Sequence, residues 1–100
     1  MNYQVFTARN YKNIPQIKKL SPEDIHSIDV VSQVLPFRTN NYVVDELIDW
    51  DNYKTDPMFI FNFPQKEMLR TEHFNTISEL MVKGASNSEI RDAANIIREQ

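Results

Sequence analysis

Two prolines, Pro57 and Pro64, constrain the fold of this chain more than anything else in it. They bracket Met58-Phe59-Ile60-Phe61-Asn62-Phe63, a run that is apolar at both alternating positions except Asn62 and so must be covered on both sides. Left free, such a run pairs with copies of itself, and the flanking prolines oppose this because they cannot donate to a strand ladder. No second strand is evident in the sequence. The run is therefore expected as an extended segment, laid across helices or docked on another surface. It lies within the stretch 35–69, which also holds Pro36, a helix start at Asn40 and an acidic bend around Trp50.

Elsewhere the periodicity is helical. Ser21-Pro22-Glu23-Asp24 supplies a hydroxyl for a free N–H, a proline where no donor is needed and negative charge at the positive helix end. Ile25, Ile28, Val31 and Val34 or Leu35 then recur as one apolar stripe, and Pro36 stops it, which predicts a helix over 22–34. Upstream, Asn13 with Pro15 in its first turn predicts a short helix to Leu20, with Ile14, Ile17 and Leu20 on one side and Lys18 and Lys19 at its end. Downstream, Phe37-Arg38-Thr39 is expected to be extended and Asn40 to cap a helix over 41–49. In that helix Val43, Leu47 and Trp50 share a face, with Val44 and Ile48 alongside. Residues 51–57 are turn chemistry.

The last third predicts a helical hairpin. Residues 71–83 carry Phe74, Ile77, Leu80 and Met81 on one stripe. Gly84 falls where a left-handed residue is wanted, and Ser86-Asn87-Ser88-Glu89 is a capping-box pattern. Ile90, Ala93, Ala94 and Ile97 then form a narrow apolar face on a helix running toward Gln100. Residues 1–12 show no sustained period and are expected as an irregular arm. The expected fold is all-α: about five short helices, a C-terminal helical hairpin and one extended aromatic segment (58–63), in a single domain over 1–100.

A 41% hydrophobic and 25% charged composition is that of a globular chain. The net charge of −3 divides into +4 over residues 1–20, −6 over 21–60 and −1 over 61–100. That balance opposes nonspecific nucleic-acid binding, which needs positive surface to displace phosphate counterions. The basic arm and acidic middle are expected to be solvated faces, or to pair within the fold or across a subunit contact. With no cysteine the chain has no disulfide or thiolate ligand. It shows no signal-peptide core and no apolar run of spanning length, so a cytoplasmic location without membrane contact is expected.

No complete catalytic or metal constellation is present. Asp45, Glu46, Asp49, Asp51 and Asp56 invite a calcium loop starting at Asp49. That loop fails, because Tyr53 stands at its fifth position, Lys54 replaces the glycine at the sixth and Ile60 the glutamate at the twelfth. These acids are expected to cap turns and face solvent. His26 and His73 stand alone, and a lone glycine cannot build a phosphate-cradling loop. Arg38 is expected to bridge to the acidic segment. The turn over 80–90 resembles the first half of a helix-turn-helix of the response-regulator kind, but nothing follows as a recognition helix.

The central stretch resembles the N-terminal region of the lysine 2,3-aminomutase-like (KamA) branch of radical S-adenosylmethionine enzymes. The residues carrying the likeness are Phe37-Arg38-Thr39-Asn40-Asn41-Tyr42 leading into a short helix, Leu47-Ile48-Asp49, and Asp56-Pro57 followed after six residues by Pro64. The hairpin over 71–100 is similar to helices that precede the barrel in that family. Within the window, Phe59, Ile60 and Phe61 stand where family members with aminomutase activity carry Arg and Gln. The family's CxxxCxxC cluster motif, its pyridoxal-phosphate lysine and its substrate acids have no counterpart here.

The resemblance implies an N-terminal accessory domain that binds no cofactor itself. Its parent would use a [4Fe–4S] cluster, S-adenosylmethionine and pyridoxal phosphate to migrate an amino group on an amino acid. The implied partner is the rest of the parent chain, its catalytic barrel, with homo-oligomeric contacts a further expectation and no nucleic acid. Trp50, Phe59, Phe61 and Phe63 are the candidate docking residues, since aromatics dominate such contacts; an internal core is the alternative for each. Two rivals stand beside this reading, a free-standing helical protein-interaction module and a helix-turn-helix DNA-binding fragment.

Overall fold

A computed structural model describes residues 3–99. At its centre is helix α1 (Pro22–Val34), opened as the sequence requires: the Ser21 hydroxyl accepts the Asp24 N–H at 3.1 Å and Pro22 stands in the first turn. Ile28 faces one core and Val30, Val31 and Val34 another. The single stripe expected for α1 is thus corrected to two buried faces, with Val30 fully enclosed. A helix apolar on two sides belongs in the middle of a fold.

The second core is the helical hairpin. Helix α3 (Thr71–Val82) and helix α4 (Asn87–Arg98) pack on each other and on α1. Gly84 turns between them at φ 79, and the Ser86 hydroxyl accepts the Glu89 N–H at 3.2 Å. Phe74 and Ile77 from α3 and Ile90 and Ala94 from α4 close on the α1 valines. Arg98 then ties the end of α4 to the end of α1: its Nε donates to Val34 O at 2.6 Å and its Nη2 to Gln33 O at 3.0 Å. Those are carbonyls a helix end leaves without partners. Gln100 lies outside the described residues.

The first core gathers aromatic and aliphatic side chains from both ends of the first two-thirds. Strand β1 (Val5–Phe6) pairs antiparallel with β2 (Thr39–Asn40), Val5 opposite Asn40 and Phe6 opposite Thr39. The fold is therefore mostly helical, and the all-α expectation is corrected by this short ladder. The arm expected over 1–12 is irregular in its described part apart from β1 and the 3-10 turn that begins at Tyr11, yet it is docked, because Phe6 and Tyr11 are buried. Its residues 1–2 lie outside the described residues.

Three further expectations are corrected. Helix 13–20 is replaced by two 3-10 turns, Tyr11–Asn13 and Pro15–Lys19. Pro15 forces Ile14 to be extended (ψ 120), so Asn13 caps nothing, although Ile14, Ile17 and Leu20 are buried together. The helix begun by Asn40, whose Oδ1 accepts the Val43 N–H at 3.0 Å, widens into π-type turns over Val43–Leu47. The wider turn rotates Val44, Ile48 and Trp50 inward and leaves Leu47 exposed.

The third correction is the largest. The aromatic run is not extended; it forms helix α2 (Pro57–Asn62). An Asp56 oxygen accepts the Met58 N–H at 3.3 Å and Pro57 takes the first helical position. Covered backbone needs hydrogen-bond partners, and with no strand beside it only a helix supplies them. One helical turn also brings Phe59 onto Phe63, stacked at 4.9 Å between centroids. Trp50 meets both edge-on at 5.7 and 6.0 Å and donates its indole N–H to Val44 O at 2.8 Å. Two cores side by side give a radius of gyration of 14.0 Å, slightly above the ~13 Å of a single-core chain of this length.

Two stability changes follow. Phe63→Ala should cost about 3–5 kcal/mol in urea unfolding, because it empties the centre of the aromatic cluster. Thr39, 3% exposed, has a buried hydroxyl without a partner. Thr39→Val should therefore raise stability by about 0.5–1 kcal/mol, and a loss would show that the hydroxyl is satisfied.

Candidate functional site

A groove of about 410 Å³ lies where the start of α1, the bend at Tyr53-Lys54 and the segment 64–67 meet. Its floor is apolar, made of the buried Ile28, Phe59 and Pro64. Its rim is charged, with Glu23, Lys54, Lys66 and Glu67 around Asp24 and Tyr53. Such size, an apolar floor and a few convergent polar groups are the ordinary features of a binding site.

The groups on that rim differ in how far they are already engaged. The Tyr53 hydroxyl donates to Asp24 Oδ2 at 2.5 Å, and Lys54 Nζ leans to the same oxygen at 4.0 Å. Burial, then donation to Asp24, raises the Tyr53 hydroxyl above its ordinary value. Lys66 Nζ sits over the Phe74 ring, 5.1 Å from its centroid. Glu23 and Glu67 are exposed and have no hydrogen-bond or ion-pair partner among the described residues. The hydrogen-bonded Tyr53 hydroxyl and Asp24 carboxylate are thus the most closely engaged polar pair in the groove.

The acidic segment is accounted for locally. Asp49 accepts the Asp51 N–H at 3.2 Å and the Asn52 side chain at 3.1 Å. Asp56 accepts the Asp49 N–H at 2.8 Å besides starting α2. Asp45 accepts from Gln16 at 3.0 Å, and Asp51 pairs with Lys19 at 2.8 Å. The Lys19 ammonium holds the Asp51 carboxyl below its ordinary value, though in open solvent such a pair stabilises little. The arm and the acidic middle thus meet within the fold. Arg38 takes no part: it is exposed, and the bridge expected of it is absent among the described residues.

One pairing was not legible in the sequence. His26 Nε2 and Ser78 Oγ lie 2.7 Å apart, 52 residues distant in the chain, with the Phe74 ring edge-on to the imidazole. No carboxylate orients His26 among the described residues and neither residue lines the groove. The pair latches α1 to α3. Only the helical faces around positions 26 and 78 hinted at it.

Of the four candidate docking aromatics, three are internal. Trp50, Phe59 and Phe63 are 8, 4 and 1% exposed, packed on one another, and their role as external anchors is corrected to core. Phe61 points the other way, 87% exposed, with Ile60 beside it at 39%. The likeness motifs are likewise structural here: Leu47-Ile48-Asp49 ends the wide turn and Asp56-Pro57 starts α2. No protein-family model, curated protein or solved structure matches the chain.

The enclosed Tyr11 generates a pH prediction. Its hydroxyl donates to Asp29 Oδ1 at 2.5 Å, and Lys12 meets Asp29 Oδ2 at 2.9 Å. Burial first, then Asp29, pushes the Tyr11 hydroxyl well above its ordinary value. The folded state therefore holds this proton more tightly than the unfolded chain. The stabilisation is complete below about pH 10 and is lost as the pH climbs beyond it. Tyr11→Phe should cost about 1–3 kcal/mol at neutral pH and flatten the alkaline decline in urea unfolding above about pH 10.

Proposed function

We propose that this chain is a helical docking domain that performs no chemistry itself and works by packing on another protein surface. The observation that carries the reading is Phe61. Its ring is 87% exposed on α2 while Phe59 within that helix and Phe63 just past its end are buried and anchor it in the first core. An aromatic held out by a rigid support loses little conformational freedom on binding, which is what a contact anchor needs.

The resemblance over 37–64 makes the proposal more specific. On that likeness the covering surface is the catalytic barrel of a KamA-like radical S-adenosylmethionine protein. The cluster, S-adenosylmethionine and pyridoxal phosphate would then belong to that body, whose chemistry is amino-group migration. The free-standing interaction module is the same docking role without that parent.

Two measurements test these readings. Phe61→Ser should lower binding of a hydrophobic dye several-fold while shifting urea stability by less than about 0.5 kcal/mol, as for an exposed site. Unchanged dye binding would remove α2 as the contact. For the parent, the coding sequence downstream of the Gln100 codon should contain CxxxCxxC, and a stop codon there would end the KamA reading.

A further inference from the structure

We infer that the groove between the start of α1 and the segment 64–67 takes an arginine side chain presented by a partner protein. The inference rests on the docking reading and names the chemistry of a second contact, apart from Phe61. Its basis is the balance of engaged and unengaged charge around the apolar floor.

Both cations on the rim have partners within the chain. Lys54 leans to Asp24, and Lys66 lies over the Phe74 ring. Asp24 in turn is occupied by the Tyr53 hydroxyl. The charges left unpaired are Glu23 and Glu67, which belong to elements 44 residues apart in sequence and both line the groove. A ligand entering here meets Glu23, Asp24 and Glu67 against Lys54 and Lys66, a formal charge of −1 above Ile28, Phe59 and Pro64. That balance disfavours an anion, and a neutral apolar group would leave the two unpaired carboxylates unused. A cation on an apolar stem satisfies both levels, the stem lying on the floor and the charge at the rim.

Arginine fits better than lysine. Its planar guanidinium meets carboxylates with two parallel N–H donors and stacks on aromatic faces. The partly exposed Tyr53 ring supplies such a face at the wall. A strongly hydrated ammonium gains less from either. The open rim suits a side chain delivered from outside, with its backbone remaining at the surface.

The test is a nuclear magnetic resonance titration of the full chain with a blocked Ala-Arg-Ala peptide. The comparison peptide carries citrulline, which keeps the shape and removes the charge. Saturable shifts are expected at the amides of Ser27, Tyr53, Lys54 and Gln65, with the citrulline peptide at least about fivefold weaker. The doubly substituted E23Q/E67Q chain should lose a similar factor. Both positions are exposed, so an unchanged unfolding midpoint will show that the fold is intact. Equal binding of the two peptides, no saturation by about 20 mM, or an unchanged affinity in E23Q/E67Q would each overturn the assignment. Free benzamidine binding where the arginine peptide does not would also overturn it, in favour of a small-molecule cation. The Phe61 dye measurement reads a different surface, so failure there would remove the α2 contact without altering these titrations.

Discussion

A thirteen-residue helix apolar on two faces cannot stand in water, and the rest of the molecule is the covering of α1. One face receives the hairpin of α3 and α4, the other the aromatic cluster and the turns before it. Each partner is too small to bury a core alone. The hairpin offers two short amphipathic helices, and the aromatic half contains scarcely two turns of α-helix. Both gain stability by burying apolar area against the same strut. The polar ties are placed accordingly. Tyr11 and Lys12 meet Asp29, His26 meets Ser78, and Arg98 closes the end of α1.

Within the aromatic half, local polar chemistry positions the apolar side chains. Asp49 and Asp56 each accept backbone N–H groups, and Asp56 reaches back to the Asp49 N–H. These caps set the bend after Trp50 and start α2 one residue later. Phe59 and Phe63 then fall on one side and Phe61 on the other. Of the acids that suggest a cation site, Asp49 and Asp56 are engaged in shaping backbone, while Asp45 and Asp51 meet side chains of the first twenty residues. The two caps also place Phe61, the most exposed large aromatic among the described residues, on a short helix held by its neighbours.

The groove arises from the same construction. The cleft lies along the start of α1, between the 53–54 bend and the 64–67 segment that leads from α2 toward α3. The cleft's unpaired carboxylates and the exposed Phe61 are recognition features of different kinds, one electrostatic and one apolar.

Local signals in the sequence determined the helix boundaries where a cap and a period agree. Ser21-Pro22 with its stripe, the Gly84 turn and the Ser86 cap lie where the chain alone places them, because those interactions span at most four residues. The same kind of signal was available at Asp56-Pro57, yet apolarity on alternating positions outweighed it in the reading of residues 58–63. The tertiary structure decided what depends on neighbours distant in sequence: the second buried face of α1, the inward turn of Trp50, the short ladder between β1 and β2, and the groove. No local rule can supply these. Which side of an apolar segment is covered, and which carboxylate finds a partner, is settled only when remote parts of the chain compete for the same volume.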